Sequence, residues 1–256
     1  MDHRDRIHDQ FTRQAVVFSE APSMTDVEAI KLLIEAAHAN ATHRSLDVAC
    51  GPGLVVLGFA GVVASAVGLD TTQAMLDRAR DLQRERNVSN VEWVPGEADA
   101  LPFPGDSFDI VTCRFAFHHM QQPRAALREM IRVARPGGRI VVCDGVAAEE
   151  QAKADAFNAF ECMRDPSTTR FLKATELRAL FSDAALSIET ERAYRVPTEL
   201  EGLLKASFPA EGDADRLRAI ARASLDDDGL GMNTRQRGDR ILLDYPALIL
   251  SAQKPY

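Results

Sequence analysis

The sequence predicts an α/β fold in which helices cover both faces of a mostly parallel sheet. Short apolar segments alternate with segments of helical periodicity between residues 45 and 143, and this alternation is typical of parallel sheets. Two of the apolar segments end in a glycine turn or in an aspartate, which favours a ligand-binding strand edge. The length of 256 residues suits one such domain with an appended helical part.

Five strands and four helices are predicted in the first part of the chain. Strands are expected over residues 45–49, 64–69, 91–94, 108–113 and 140–143, because these runs are apolar and bounded by turn residues. Helices are expected over residues 26–39, 54–61, 71–87 and 123–134. Asp26 or Thr25 can cap the first helix, Thr71 or Thr72 the third, and Pro123 suits the start of the fourth.

The regular alternation ends after Asp144. The patterns predict helices over residues 149–163, 175–182, 198–207 and 213–225, and strands over 186–195 and 241–252, the last one interrupted near Pro246. Residues 147–173 and 197–238 are too long for simple connections, so we predict lid insertions there. We therefore divide the chain into an N-terminal helical cover, residues 1–40, and one domain, residues 41–256.

Composition and charge exclude several functional classes. The net charge of −8 and the lack of a basic stripe argue against a nucleic-acid partner. The longest uncharged run, residues 54–69, is too short to span a bilayer. The four cysteines have no CxxC spacing and are expected to be buried free thiols of a cytoplasmic protein. The uncharged residues 54–61 are compatible with a homodimer contact.

Three motifs near predicted strand ends indicate a nucleotide-like ligand. In LDVACGPG, residues 46–53, Gly51 and Gly53 let the backbone approach a ligand closely. Asp70, at the end of the second strand, can accept hydrogen bonds from ribose hydroxyls or cap the next helix. In GEADALPF, residues 96–103, an acidic residue can accept from an adenine amino group. A dinucleotide-dependent dehydrogenase remains an alternative, although CGPG lacks the GxGxxG pattern.

The order and spacing of these motifs resemble those of class I S-adenosylmethionine (SAM) dependent methyltransferases. Over residues 40–145 the chain is similar to the ubiquinone/menaquinone C-methyltransferase-like (methyltransferase type 11) group. The resemblance implies a Rossmann-like sheet of seven strands with the last one antiparallel. It also implies SAM as cofactor, S-adenosylhomocysteine as product and a small-molecule acceptor methylated on carbon, oxygen or nitrogen. Two alternatives remain open: a SAM-binding enzyme with a non-methylating reaction, and a non-catalytic SAM-binding partner subunit.

The resemblance also assigns residues to the cofactor. By position, the two glycines and Asp47 would contact the methionine part, Asp70 the ribose, and Glu97 with Ala98 the adenine. Arg114 would offer its backbone carbonyl to the ammonium group. Ala49 and Pro52 replace the more usual glycine and threonine of the first motif. The full set is Asp47, Ala49, Gly51, Gly53, Asp70, Thr71, Glu97, Ala98 and Arg114.

His118 and His119 are the candidate catalytic bases, because both follow the fourth strand beside the expected methyl group. His119 is favoured, since its position resembles that of the catalytic histidine of phosphoethanolamine methyltransferases. The alternative is a histidine that shapes the pocket. The quinone enzymes usually carry an arginine-asparagine pair here, which argues against a quinone acceptor. No third ligand lies nearby, so we predict no metal.

Two further segments carry weaker expectations. Residues 162–170 are expected to border the substrate pocket, with Arg164 and Arg170 holding an anionic acceptor. Residues 2–9, which alternate in charge, are expected to form a solvated arm.

Overall fold

The computed structural model describes residues 2–22 and 24–256 and confirms the α/β class. The sheet order is β3-β2-β1-β4-β5-β8-β6, and β7 pairs with β8 at the side. Strands β1 to β5 pair in parallel, whereas β8 runs antiparallel to both β5 and β6. The strands are β1 (Arg44–Val48), β2 (Ser65–Asp70), β3 (Val91–Pro95), β4 (Phe108–Arg114), β5 (Ala134–Gly145), β6 (Ile188–Glu199), β7 (Arg235–Arg237) and β8 (Arg240–Gln253).

Helices flank this sheet, and a short 3-10 turn, Phe117–His119, follows β4. Asp26 caps the second helix by accepting from the backbone N–H of Glu28, and Pro123 stands at the start of the fifth, as expected. The helices are α1 (His3–Glu20), α2 (Val27–Ala36), α3 (Leu54–Ala60), α4 (Gln73–Glu85), α5 (Pro123–Val133), α6 (Gln151–Arg164), α7 (Ala174–Asp183), α8 (Leu200–Ser207) and α9 (Asp213–Asp227).

The strand predictions were wrong in two places. Among the described residues, the sheet has eight strands rather than the expected seven. Strand β7 was missed because its three exposed residues carry no apolar alternation that would indicate a strand. Strand β8 continues through Pro246. The Pro246 carbonyl accepts from the N–H of Val146, just beyond the last residue of β5. Proline has no backbone N–H to donate. At this position the missing donor would face the chain beyond the last residue of β5, so its loss costs little.

The predicted solvated arm is part of helix α1. Asp2 and Asp5 form a capping box at its start, in which each side chain accepts from the other residue's backbone N–H. Hydrogen bonds to other helices also hold α1 in place: Gln10 donates to the Ser207 carbonyl of α8, and Arg78 of α4 donates to Ser19. These distant partners explain why the charge pattern of residues 2–9 did not indicate a packed helix.

Apolar clusters pack on both faces of the sheet. On one face, α5 and α7 contribute Leu127, Met130 and Phe181. On the other face, α2, α3 and α4 contribute residues such as Leu33, Val56 and Leu76. Helix α3 is buried along most of its length. The uncharged face of residues 54–61, which suggested a homodimer, is therefore internal.

The C-terminal part has an apolar cluster of its own. Helices α6, α8 and α9 pack with the start of β8 around this cluster, and Phe160 and Leu217 at its centre are fully buried. The two segments predicted as lids, residues 147–173 and 197–238, therefore share one core. We call residues 147–173 and 197–245 the C-terminal support.

Three cysteines are buried, and Cys162 is exposed, which corrects the expectation that all four are buried. Cys162 lies near the end of α6, on a helix that packs with its phenylalanines inward. In the described residues, no helix has the length and apolar character needed to cross a membrane.

Candidate active site

A cavity of about 250 Å³ opens at the carboxyl ends of β1 and β4. The strand order reverses between these two strands, which is where open α/β sheets bind ligands. Helix α1 covers the cavity with Ile7, Phe11 and Phe18. Among the described residues, those that line the cavity all lie before residue 127, so the C-terminal support contributes none of its wall.

The turn after β1 is built from left-handed backbone. Ala49, Gly51 and Gly53 have φ values of 56°, 52° and 80°, which glycine adopts without steric cost. A Cβ on Gly51 would meet only Met75 Sδ, at 4.0 Å, so this residue leaves room for a ligand. A Cβ on Gly53 would lie 2.3 Å from Trp93 Cη2. Gly53 is therefore required for packing, and the structure places it outside the cavity lining.

Asp70 joins the end of β2 to the glycine turn. Its Oδ2 accepts from the N–H of Gly51 at 2.8 Å, and its Oδ1 accepts from the N–H of Thr72 at 2.8 Å. Burial raises the pKa of Asp70 in spite of these two bonds. Each oxygen keeps a second lone pair, so the carboxylate can still accept from a ligand.

Asp47 is the second buried carboxylate of the cavity. Its Oδ1 accepts from the Thr112 hydroxyl at 2.6 Å. Burial nevertheless raises the pKa of Asp47 to about 7, against the opposing effects of Thr112 and the Arg114 charge. A carboxylate that is this costly to ionise gains from a cationic ligand group. Arg114 also lines the cavity, and its Nη1 donates to the Met24 carbonyl at 3.1 Å.

The loop after β3 forms another part of the wall. Glu97 Oε1 accepts from the Thr71 hydroxyl at 3.1 Å and lies 3.4 Å from Arg4 Nη2 of α1. Ala98 and Asp99 follow it in the cavity lining. These contacts connect α1 to the loops after β2 and β3, both of which the sequence analysis assigned to the ligand.

The two histidines after β4 have different surroundings. His118 Nδ1 lies 2.6 Å from Asp144 Oδ1, and the His118 N–H donates to Asp144 Oδ2 at 2.8 Å. Its ring stacks on Phe171 with centroids 4.0 Å apart. His118 is absent from the cavity lining, so its contacts fit a structural role better than the predicted role as a base.

His119 lies in the cavity wall. Its Nδ1 is 3.1 Å from Ser167 Oγ, and its ring meets Phe11 edge-on with centroids 4.9 Å apart. Its carbonyl accepts from His3 Nε2 at 2.7 Å and from Thr169 Oγ1 at 3.0 Å. Burial and the neighbouring His118 lower the pKa of His119 to about 3. His119 is therefore neutral at pH 7 and has a lone pair available for a proton.

Comparisons with known proteins identify the family of the chain. The model of a methyltransferase domain matches residues 46–142. The uncharacterized methyltransferase YcgJ of Bacillus subtilis is 31% identical over 246 residues, which are 95% of this chain and 97% of the relative. The chain belongs to the SAM-dependent methyltransferase family.

Two further comparisons support the assignment. The crystal structure of YcgJ from Bacillus subtilis has a TM-score of 0.83 and 29% identity, and the alignment covers 90% of this chain and 99% of that chain. The demethylmenaquinone methyltransferase of Clavibacter sepedonicus is 40% identical over 104 residues, 41% of this chain and 42% of the relative. The whole-length likeness to YcgJ thus includes the C-terminal support.

The cavity of this methyltransferase fits SAM. A Cβ at Gly51 would have one protein atom within 4 Å, Met75 Sδ at 4.0 Å, which leaves a cradle for a ligand. Asp47 and Asp70 offer buried carboxylate oxygens at two neighbouring strand ends, and burial raises the pKa of both. Hydroxyl donors and an ammonium group, such as SAM carries, would supply the stabilisation that these carboxylates lack.

Sequence reasoning missed the residues that hold His119 in this methyltransferase. His3 is 116 positions away along the chain and Ser167 is 48, so no local pattern could have indicated either. The expectation for Arg164 and Arg170 was wrong. Arg164 pairs with Glu161, while Arg170 pairs with Glu176 at 2.9 Å. Neither arginine lines the cavity.

Proposed function

We propose that this methyltransferase transfers a methyl group from SAM to a carbon, oxygen or nitrogen atom of a small-molecule acceptor, with His119 as the base. When bound, SAM supplies an electrophilic methyl group. One observation carries the proposal: a neutral histidine shares a single cavity with the buried carboxylates of Asp47 and Asp70. Holding donor and acceptor in line supplies much of the acceleration in such a reaction.

The cofactor-binding residues follow the predicted assignment, with one change. Asp47 and the backbone around Ala49 and Gly51 would hold the methionine part, helped by the Arg114 carbonyl. Asp70 would accept from the ribose hydroxyls. A further group would contact the adenine side, namely Thr71, Glu97 and Ala98. Gly53 would act indirectly by allowing the turn to pack against Trp93.

The protonation state of His119 is the one that a base requires, but the low pKa that produces it also makes the ring a weak base. A neutral imidazole can accept a proton from an oxygen or nitrogen acceptor, whereas an imidazolium cannot. The low pKa of about 3 keeps His119 neutral throughout the physiological pH range. An acceptor that needs no deprotonation would use His119 for orientation only.

The cavity wall next to His119 favours an acceptor with an apolar body. Phe11 and Ile7 of α1 and Met120 after the 3-10 turn lie in the lining together with His119. Aromatic and aliphatic walls bind acceptors through buried apolar area, while a few polar groups fix their orientation. We therefore propose an acceptor with an apolar or aromatic body and one ionisable group.

Calorimetric titration with SAM and with S-adenosylhomocysteine tests the cofactor part of the proposal. Both should bind, and absence of binding would contradict it. Mass spectrometry of reactions with metabolite mixtures should then find a product heavier by one methyl group. Binding with chemical change but no methyl gain would favour the non-methylating alternative, and binding with no reaction would favour a partner subunit.

The base role needs a separate test. His119→Gln should lower kcat by about 100-fold or more, as for loss of a general base. His43→Ala is the matched control, because His43 lies outside this cavity near the amino end of β1. An unchanged rate in His119→Gln would end the base assignment while leaving methyl transfer itself in place.

We also propose a cytoplasmic location and a small-molecule substrate rather than a nucleic acid. All four cysteines are unpaired, which supports a reducing compartment. The net charge of −8 opposes binding to nucleic acid. Fractionation of the native host, followed by immunodetection, would test the location.

A further inference from the structure

A buried row of polar side chains runs from the C-terminal support to His119. The Ser167 hydroxyl donates to Asp165 Oδ1, and Ser167 Oγ lies 3.1 Å from His119 Nδ1. Ser167 is completely buried and Asp165 is 3% exposed. Neither residue lines the cavity, so they reach the site only through the histidine.

The charge of Asp165 is stabilised from two sides. Its Oδ2 accepts from Gln14 Nε2 of α1 at 3.3 Å and lies 3.8 Å from Arg164 Nη1. Burial alone would raise its pKa, but the Arg164 charge and the bonds from Ser167 bring the pKa below its usual value. Asp165 is therefore ionised at neutral pH and can only accept hydrogen bonds.

The number of hydrogen atoms in this row fixes which atoms donate and which accept. A serine hydroxyl carries one hydrogen, and that of Ser167 is used on Asp165. Ser167 Oγ can then only accept from His119, so Nδ1 must carry the hydrogen. Because His119 is neutral, its other ring nitrogen, Nε2, has none. Among the described residues, Ser167 is the hydrogen-bond partner of this ring, which leaves Nε2 for the cavity.

We propose that Asp165 and Ser167 are positioning residues that fix the tautomer of His119, with Nδ1 protonated and the Nε2 lone pair facing the cavity. This inference rests on the proposed function for its catalytic meaning. When an acceptor gives its proton to Nε2, the Nδ1–H bond to Ser167 stays in place and Asp165 stabilises the imidazolium. The proton later leaves Nε2 to solvent, and no other proton has to move.

The adjacent His118 offers an internal comparison. Its Nδ1 faces the Asp144 carboxylate directly, at 2.6 Å, without an intervening hydroxyl. Removal of the Ser167 hydroxyl should therefore change the His119 tautomer and leave that of His118 as it is.

The test is the tautomeric state of both histidines in the full-length protein, read from ring ¹⁵N chemical shifts and long-range proton couplings. It needs neither cofactor nor acceptor. His119→Gln and His118→Gln assign the signals. In the unmodified chain, His119 should carry hydrogen on Nδ1. In Ser167→Ala, the Nε2–H form should become the major one, because nothing then accepts from Nδ1.

Two variants sharpen the result. In Asp165→Ala, the freed Ser167 hydroxyl can donate to Nδ1, so His119 should again shift to the Nε2–H form. Thr168→Val is the matched control: Thr168 lies in the same loop, and its hydroxyl has no hydrogen-bond partner among the described residues. This control should keep the Nδ1–H form. Thermal melting confirms that each variant is folded.

The outcomes separate this inference from the proposed function. A hydrogen on Nε2 in the unmodified chain, or an unchanged His119 signal in Ser167→Ala, would overturn it. With the acceptor found by mass spectrometry, Ser167→Ala should lower kcat about 10–100-fold with little change in KM. If His119→Gln retains full methyl transfer while the tautomer shifts as expected, only the base role is lost and the tautomer assignment stands.

Discussion

The wall of the cavity and the C-terminal support contribute to the site in different ways. The wall consists of strand ends, their loops and α1, and all of its described residues precede residue 127. The support, residues 147–173 and 197–245, has a separate apolar core and reaches the site through contacts such as Ser167 to His119 and the Ser207 carbonyl to Gln10. The part that resembles a lid therefore holds other elements in place instead of covering the cavity.

This difference teaches that contact with a ligand and control of the site can reside in different parts of one chain. Substitutions in the wall should change cofactor affinity. Substitutions in the support should change stability or the alignment of His119 and leave cofactor affinity nearly constant. The following predictions test that separation.

The largest expected effect is on the core of the support. Phe160→Ala removes a fully buried ring from the centre of that cluster, and it should lower the free energy of unfolding by about 3–5 kcal/mol. Chemical denaturation measures the loss. Phe208→Ala, at a ring that is 37% exposed in the same region, should cost less than about 1 kcal/mol. Equal losses would show that the support lacks a core of its own.

The next effect concerns the wall. Asp70→Ala removes the acceptor for the N–H groups of Gly51 and Thr72 and the proposed partner of the ribose. The dissociation constant for SAM should rise about 10–100-fold in calorimetry, as expected for bonds to a charged group. Asp244→Asn, which changes a carboxylate of the support paired with Arg235, should leave this constant unchanged. A similar loss in both variants would contradict the separation.

A pH-dependent effect is expected at Asp47. Its pKa is about 7 in the folded state against an ordinary value of 3.8, so between these pH values the folded protein holds a proton that the unfolded chain has released. Stability should therefore fall as the pH rises from about 4 to 7. Asp47→Asn removes this decline and should be more stable than the unmodified chain by up to about 4 kcal/mol at pH 8, with equal stability near pH 4.

Thermal melting across this pH range, together with SAM titration, measures both sides of the Asp47 effect. The variant should gain stability and lose SAM affinity, and in the unmodified chain affinity should rise between pH 6 and 8. Parallel stability curves for the two proteins would disprove the assignment of this titration to Asp47.

The smallest effect is expected at Ala49, which adopts a left-handed φ of 56° in the turn after β1. Ala49→Gly relieves this backbone strain but adds freedom to the unfolded chain, so it should stabilise by no more than about 1 kcal/mol. Ala221→Gly, inside α9 of the support, should instead destabilise by about 1 kcal/mol or more. Denaturation midpoints of the pair give the comparison, and the same sign in both would refute the strain argument.

The sequence by itself determined most of the sheet and which strand ends meet at the cavity. Periodicity and turn residues are local properties, so the strands that end at Val48, Asp70 and Arg114 were close to their predicted positions. Parallel strands bring their carboxyl ends to one edge, and this rule alone placed Asp47 and Asp70 near each other. The motif at residues 46–53 then indicated the type of ligand.

Only the tertiary structure decided how His119 is held and how the N-terminal helix is anchored over the cavity. Ser167 and His3 reach His119 from positions far away along the chain, and the packing of α1 depends on partners such as Ser207. These contacts follow from how separate elements pack and leave no periodic pattern in the sequence. The same packing gives the two histidines different surroundings, because His119 lines the cavity while His118 stacks on Phe171 and lies against Asp144.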